Sequence, residues 1–267
     1  MKKILIASCV VLALTGCANK GTSVDKDAQI TQTWSVQQLY TSAQDELNGK
    51  NYERAVKLYD ILQSRYPNGR YAQQAQLDKA YAYYRDAEPD KAMAVLDNFE
   101  KKYPKHENLD YVFYLRGLIA FNEDTSFVNK LASQDWADRD QKANREAYGY
   151  FNTLVTRWPD SKYAADSAER MSKLVVAFAG NEMAIARYYL KRGAFVAAVN
   201  RAQNVVQHYQ NTPFTEEALA IMSTSYAKLG QTQLSQDTQR VLETNFPETQ
   251  YKEGWKSDDI PWWRYWK

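Results

Sequence analysis

The fold is decided by a stretch that recurs along the chain, AVKLYDILQSRYP at residues 55–67. Within it a small, an apolar and an aromatic residue follow one another at steps of seven and four, which places all three on one face of a helix. The proline directly after the aromatic residue ends the helix, because it has no N–H and clashes with the preceding turn. We therefore interpret the stretch as a helix that packs closely against a neighbour through Ala55, Leu62 and Tyr66.

The same spacing recurs in five copies along the chain, each anchored on an aromatic residue. The residue eleven positions before the aromatic is always small, and the residue four positions before it is always apolar. A proline follows the aromatic in four copies, and Gln210 takes its place in the other. The small, apolar and aromatic positions are, in order, Ala55, Leu62 and Tyr66; Ala92, Phe99 and Tyr103; Ala147, Leu154 and Trp158; Ala198, Val205 and Tyr209; and Ser235, Leu242 and Phe246.

A second helical pattern precedes these copies, as with Tyr40, Ala43 and Leu47 ahead of Ala55. This pairing of helices resembles the tetratricopeptide repeat (TPR), which is about 34 residues long. We therefore predict an all-α fold, a right-handed α-solenoid of about five TPR-like helix hairpins, or about ten helices. The alternative is an unrelated helical bundle in which the aromatic–proline pairs are fortuitous.

The first seventeen residues predict export and anchoring. Lys2 and Lys3 precede an apolar run at residues 4–14, which is too short to span a bilayer as a mature helix. The sequence LTGC at residues 14–17 resembles the lipobox of bacterial lipoproteins. This resemblance implies a signal peptide at residues 1–16, cleavage before Cys17, and an S-diacylglycerol and an N-acyl chain, such as palmitate, on that cysteine. The alternative is a plain secretory peptide with a chance cysteine.

The rest of the chain divides into four segments. We predict a lipidated flexible tether at residues 17–33, where Ala18 favours the outer membrane because bacterial lipoproteins retained in the inner membrane tend to carry Asp there. Residues 34–159 then form repeats 1–3, residues 160–251 form repeats 4–5 with a cap, and residues 252–267 form a Trp-rich tail.

The composition excludes several classes of function. Of 34 Lys and Arg, two leave with the signal peptide, so 32 basic residues balance 32 acidic ones, and we expect no nucleic-acid partner. Two cysteines and two histidines are too few for a Zn site of the Cys/His kind. We interpret Asp135, Asp138 and Asp140 as a solvated loop and not as a metal site. No catalytic motif is present, so we predict neither an enzyme nor a cofactor other than the covalent lipid.

The first helix of each TPR hairpin lines a concave groove, which makes polar and aromatic residues on these helices candidate ligands for a peptide. Tyrosine rings suit apolar side chains of the peptide, and amides suit its backbone. The alternative is that these tyrosines only pack between helices. The candidates for peptide contact are Tyr40, Gln44, Gln74, Tyr81, Tyr84 and Arg85.

Tryptophan is concentrated at the carboxyl terminus, where four of the seven lie within the last thirteen residues. Such residues suit docking onto a partner or a membrane interface. They equally suit folding back over the last repeat, and the sequence leaves both possibilities open. The four residues are Trp255, Trp262, Trp263 and Trp266.

Four blocks of sequence carry a resemblance to a known family. They are residues 62–84, residues 110–118, the DRD sequence at residues 138–140, and RGAFVAAVNR at residues 192–201. With the lipobox, they make the chain similar to the BamD/ComL family of outer-membrane lipoproteins over roughly residues 39–246.

The resemblance implies a non-enzymatic scaffold of the β-barrel assembly machinery, anchored in the outer membrane and facing the periplasm. Its partners would be the POTRA domains of a BamA-type barrel protein, the other Bam lipoproteins, and targeting segments of unfolded outer-membrane proteins. Arg201 matches the arginine of the family at the BamA contact. The alternative is another periplasmic TPR lipoprotein, a scaffold for envelope or peptidoglycan functions. A lytic transglycosylase needs a further domain, for which the chain has no room after the fifth repeat.

Overall fold

A computed structural model describes residues 26–121 and 141–256 of the chain. Every regular element within these two ranges is a helix, which confirms the predicted all-α class. In chain order the helices are α1 (Lys26–Ile30), α2 (Val36–Asn48), α3 (Tyr52–Arg65), α4 (Arg70–Arg85), α5 (Pro89–Lys102), α6 (Leu109–Phe121), α7 (Gln141–Arg157), α8 (Ala164–Lys191), α9 (Phe195–His208), α10 (Thr215–Lys228) and α11 (Thr232–Asn245).

Ten of the described helices form the five pairs that the repeats predict. Helices α2 and α3, α6 and α7, α8 and α9, and α10 and α11 pack against each other. Helix α4 meets α5 where Gln76 Nε2 donates to the Val95 carbonyl at 3.3 Å. The TPR-like hairpins of the prediction are therefore present, and α1 is an additional short helix before the first of them.

The second helix of each pair ends as the sequence predicts. The N–H of the aromatic residue donates to the carbonyl of the apolar residue four positions earlier, at 2.8 Å in all five copies. This bond closes the last helical turn, and the chain then leaves the helix. The apolar positions are fully buried in every copy. The bonds join Tyr66 to Leu62, Tyr103 to Phe99, Trp158 to Leu154, Tyr209 to Val205, and Phe246 to Leu242.

The described part of the chain divides into two compact units, one up to residue 95 and the other from residue 96, and the boundary lies within α5. The predicted boundary between repeats 1–3 and repeats 4–5, at residue 159, instead lies inside the second unit. There α7 packs against α8, and the ring of Tyr114 on α6 stacks on that of Tyr163 with the centroids 4.6 Å apart. Repeat spacing alone does not reveal which hairpins share a core.

The end of the predicted tether at residues 17–33 is folded. Helix α1 lies within it, and Thr31 is 1% exposed. The Arg65 guanidinium on α3 donates to the Thr31 carbonyl and, at 2.9 Å, to the Ala28 carbonyl. A cation is favourable at the carboxyl end of a helix, where carbonyls lack partners. These contacts across 34 and 37 residues hold the segment, although its sequence has no apolar period.

The end of the predicted cap and the first residues of the Trp-rich tail fold over the last hairpin. Tyr251 and Trp255 are 3% and 6% exposed, and they belong to the apolar core that α8, α9 and α10 share. The Trp255 N–H donates to Thr224 Oγ1 on α10 at 2.8 Å. Gly254 has a φ of 84°, and a Cβ there would lie 2.9 Å from the same oxygen, so glycine is required at this turn. The predicted cap lies in this part of the chain, at the end of residues 160–251.

Several predicted features lie outside the described residues. They are the signal peptide at residues 1–16, Cys17, the carboxylates of residues 135–140, and the tryptophans beyond residue 256. Within the described ranges, no helix is both long enough and apolar enough to cross a membrane.

Candidate functional site

Three of the six candidate groove residues converge on one carboxylate in the first unit. Tyr40 Oη and Gln44 Nε2, both on α2, donate to Asp78 Oδ2 on α4 at 2.8 and 2.6 Å. Gln74 Nε2, one turn earlier on α4, donates to Asp78 Oδ1 at 3.0 Å. Asp78 was not among the predicted site residues. The sequence feature that could have indicated Asp78 is its position within residues 62–84, one of the blocks that resemble the family, directly after the buried Leu77.

This Asp78 cluster (Tyr40, Gln44, Tyr59, Gln74 and Asp78) is anchored in the protein core. Gln44 Nε2 also lies 2.9 Å from the hydroxyl of Tyr59 on α3, a side chain that is 0% exposed. The cluster therefore ties three consecutive helices together. The Tyr40 hydroxyl and the Nε2 donors of Gln44 and Gln74 already have partners within the chain, so these three groups are held in place.

Asp78 is held by neutral donors. Among the described residues, no lysine or arginine forms an ion pair with it. Burial raises the pKa of the Asp78 carboxyl above its ordinary value of 3.8, and the hydrogen bonds from Gln74, Tyr40 and Gln44 act in the opposite direction. Burial, with the negative charge of Asp78, also raises the pKa of the Tyr40 hydroxyl, which remains a donor.

The other three candidates form a separate group at the carboxyl end of α4. Arg85 Nη1 donates to Tyr81 Oη at 2.9 Å, and its guanidinium carbon lies 5.8 Å from the Tyr81 ring centroid. The Tyr52 ring lies 5.9 Å away, and the Tyr84 ring is 6.2 Å from that of Tyr81. Arg85 is exposed. The arrangement presents a cation among aromatic rings, which suits a peptide with a carboxylate and an apolar or aromatic side chain.

Arg201, the predicted partner-binding residue, lies on α9 in the second unit. Its side chain is 44% exposed, and its Nη1 lies 3.1 Å from Glu182 Oε2 on α8. The Glu182 side chain is only 10% exposed. Glu182 contacts a single nitrogen of the guanidinium, so the exposed remainder can bind a carboxylate from another molecule. The two residues line an open depression between α8 and α9, of about 470 Å³.

The sequence did not predict a buried ion pair that holds the cap in the second unit. Arg187 Nε on α8 donates to Glu217 Oε1 on α10 at 2.7 Å, and the two side chains are 12% and 8% exposed. Trp255 Nε1 donates to the same Glu217 oxygen at 2.9 Å. The three residues lie 30 and 38 positions apart, and no motif links them.

No cluster of three or more His, Cys, Asp or Glu residues that could hold a metal ion occurs in the described ranges. Of the two histidines, His208 is exposed, and His106 packs against Phe99 with ring centroids 5.0 Å apart.

Comparison with known proteins places these two units in a family. The model of the family YfiO, described as outer membrane lipoprotein, matches residues 32–242, which is most of the chain and includes all five hairpins except the end of α11. The chain belongs to this family.

Individual relatives extend the match over the full length. The chain is 63% identical over 267 residues to the outer membrane protein assembly factor BamD of Neisseria meningitidis serogroup B, with 100% of both chains covered. Proteins of the same name from Xylella fastidiosa and Vibrio cholerae are 35% identical over 258 residues and 36% identical over 208 residues. Those alignments cover 97% and 78% of this chain, and 86% of each relative. The resemblance to the BamD/ComL family is thereby confirmed.

Proposed function

We propose that this protein is a lipid-anchored, non-enzymatic scaffold of the β-barrel assembly machinery that faces the periplasm. It binds a BamA-type barrel protein through the POTRA domains of that protein, associates with other Bam lipoproteins, and helps to recognise and insert outer-membrane β-barrel proteins. The observation that carries the proposal is the full-length similarity to proteins named outer membrane protein assembly factor BamD. The names of these relatives support the coarser role, that of an outer-membrane assembly factor, and the family model is that of an outer membrane lipoprotein.

The architecture supports a scaffold. Each hairpin of a repeat array contacts its neighbours and presents its remaining faces to other molecules. The described side chains form packed cores and hydrogen-bonded clusters, such as the Asp78 cluster, and these hold neighbouring helices together. Rigid surfaces bind partners with a smaller loss of conformational entropy than flexible ones.

The contact with the BamA-type partner is assigned to Arg201. Its guanidinium is half exposed and is oriented by the buried Glu182. An arginine held in this way is suited to a bidentate, charge-assisted bond with an acidic residue of the partner.

We assign the binding of segments of unfolded barrel proteins to one group of side chains in the first unit. The group consists of Tyr52, Tyr81, Tyr84 and Arg85. Exposed arginine among tyrosine rings provides a positive charge and apolar faces at one place. The Asp78 cluster includes Gln74 and Asp78 on the same helix, α4, and ties that helix to α2 through the bonds of Tyr40 and Gln44 to Asp78.

The membrane anchor is assigned to Cys17, modified by S-diacylglycerol and an N-acyl chain. More than one acyl chain is needed for stable anchoring, and this modification meets that condition. The nine residues from Cys17 to the start of α1 can span at most about 30 Å, so the anchor keeps the first hairpin near the membrane surface.

The test is purification of the full-length protein from membranes in mild detergent, followed by mass spectrometry of the bound proteins. We expect a BamA-type barrel protein among them. Its absence, together with recovery of division or peptidoglycan proteins, would favour the alternative of another periplasmic TPR lipoprotein.

Arg201 is tested in the same purification. Substituting Arg201 alone would leave the Glu182 charge buried without its cation, which destabilises the fold and confuses the result. We therefore compare Glu182→Gln with Glu182→Gln/Arg201→Gln. The first should retain the partner and the second should lose it. Retention of the partner by Glu182→Gln/Arg201→Gln would refute the contact at Arg201.

A further inference from the structure

A long uncharged stretch begins in α1, shortly after the predicted lipid anchor. No Asp, Glu, Lys, Arg or His occurs from residue 28 to residue 44, although 25% of the whole chain is charged. The stretch covers the end of α1, the turn after it and most of α2. Of its residues only Thr31, Leu39 and Ala43 are buried, so burial in the core does not explain the missing charges.

Apolar side chains at the start of this stretch meet solvent. Ile30 is 61% exposed, and Tyr66, in the turn after α3, is 37% exposed. Trp34 packs partly against the core of the first unit, and it also lines an open depression of about 470 Å³. The Tyr66 hydroxyl donates to the Trp34 carbonyl at 3.4 Å, and the Trp34 N–H donates to the carbonyl of Thr31, next to Ile30, at 2.9 Å. The three apolar residues therefore lie together at one end of the first hairpin.

The backbone of this surface is hydrogen-bonded within the chain. Ser35 caps α2: its Oγ accepts from the Gln38 N–H at 3.3 Å, and Gln38 Oε1 accepts from the Ser35 N–H at 2.8 Å. The Arg65 guanidinium donates to the carbonyls of Ala28 and Thr31. Peptide groups that already have partners enter a medium of low polarity at a smaller cost than free ones. The turn between α1 and α2 is thus suited to the boundary between water and lipid.

The distance of this surface from a membrane is limited by the anchor proposed for Cys17. The nine residues from Cys17 to the start of α1 are followed by a rise of only about 6 Å along α1, from Lys26 to Ile30. A flexible chain of nine residues has a root-mean-square span of about 15–18 Å, about half of its greatest length. A surface tethered at such a distance meets the bilayer at an effective concentration in the millimolar range, so a few side chains suffice for contact.

We propose that this surface, the α1–α2 face, lies in the headgroup region of the phospholipid membrane in which the protein is anchored. Trp and Tyr are favoured at the membrane–water interface, where an apolar ring and a polar group both find partners. The uncharged amides and hydroxyls around them can hydrogen-bond to lipid headgroups. The α1–α2 face consists of Ile30, Trp34 and Tyr66 with Gln37, Gln38, Thr41 and Ser42.

The inference rests on the lipid anchor proposed above, and it adds a second contact with the membrane that the folded protein makes itself. Two contacts fix the orientation of the first hairpin relative to the bilayer, whereas a tether alone leaves the hairpin free to turn. A charged polypeptide segment is the less suitable occupant, because the stretch from residue 28 to residue 44 offers it no opposite charge.

The test uses the full-length lipidated protein in phospholipid vesicles with ordinary or brominated acyl chains. Bromine quenches tryptophan fluorescence at short range, so the intensity lost on bromination measures the tryptophans that contact lipid. Trp34→Phe should lower this loss. Trp158→Phe removes another half-buried tryptophan, in the second unit, and should leave the loss unchanged. An equal loss in Trp34→Phe and wild type would overturn the inference.

A charge placed on the α1–α2 face should separate it from the lipid. Ile30→Asp should abolish the Trp34 contribution to the quenching, because a carboxylate is costly beside acyl chains. Leu234→Asp is the matched control: Leu234, on α11, is 47% exposed, and its substitution should leave the quenching unchanged. Both side chains are exposed, so thermal unfolding by circular dichroism should match wild type. Unchanged quenching in Ile30→Asp would contradict the contact.

Two further measurements distinguish the failures. If brominated lipid has no effect and Trp34 is shielded from aqueous iodide only after the POTRA region of the BamA-type partner is added, the face binds polypeptide and the inference is wrong. Mass spectrometry of the amino-terminal peptide shows whether Cys17 carries lipid. Lipid on Cys17 without quenching of Trp34 refutes the α1–α2 face alone, whereas an unmodified Cys17 refutes the anchor and, with it, the contact.

Discussion

We expect Glu217→Ala to destabilise the last hairpin and to release the C-terminal cap. Glu217 accepts hydrogen bonds from Arg187 at 2.7 Å and from Trp255 at 2.9 Å, and its side chain is 8% exposed. Removing one partner of a buried ion pair costs about 3–5 kcal/mol, because the other charge remains buried. In a unit of this size each kcal/mol lowers Tm by about 2–4 °C, so we expect a fall of about 6–20 °C.

Thermal unfolding by circular dichroism measures this loss, and quenching of tryptophan fluorescence reports whether Trp255 becomes accessible. Arg187→Met/Glu217→Leu is the matched variant: it removes both charges, keeps apolar volume, and should cost much less than Glu217→Ala. A Tm for Glu217→Ala within about 2 °C of wild type would refute the reasoning. An equal loss in both variants would show that the charge imbalance is not the cause.

Three further predictions test separate parts of the structure. The raised pKa of Asp78 means that the folded state binds its proton more tightly than the unfolded state, so stability should fall as pH rises from about 3.8 to the higher folded value. Asp78→Asn should remove this slope in urea unfolding at a series of pH values, and an unchanged slope would exclude Asp78 as its source. A Cβ at Gly117 would lie 2.3 Å from the Phe151 ring, so Gly117→Ala should cost about 1–3 kcal/mol in urea unfolding. Gly149→Ala, where a Cβ has no neighbour within 4 Å, should cost nothing, and equal effects would contradict this packing. Cys17→Ala should move the protein from the membrane fraction to the soluble fraction, as seen by immunoblotting, and retention in the membrane would contradict lipid anchoring.

The helical pairs could be predicted from the sequence because their determinants are local. The apolar residue that closes each second helix lies four positions before the aromatic residue whose N–H it accepts, as in Leu62 and Tyr66. The proline that ends the helix follows at once in four copies. Such short-range features can be read from each repeat by itself.

The candidate site was only partly predictable, because its contacts depend on the register between helices. Asp78 lies 34 and 38 residues from Gln44 and Tyr40, and only the packing of α2 against α4 brings the three together. For the same reason the sequence did not reveal that Tyr40, Gln44 and Gln74 are engaged within the protein. The sequence indicated Arg201 as a binding residue, but it did not reveal that the buried Glu182 orients the Arg201 side chain.

The most direct test of the central claim is depletion of this protein from growing cells, followed by quantification of folded β-barrel proteins in the outer membrane. Folded barrels are distinguished from unfolded ones by their electrophoretic mobility without heating. If the protein is an assembly factor, its depletion should lower the level of folded barrels and cause unassembled precursors to accumulate in the periplasm. Expression of the wild-type protein should restore the level of folded barrels. Unchanged levels of folded barrels after depletion would contradict the claim.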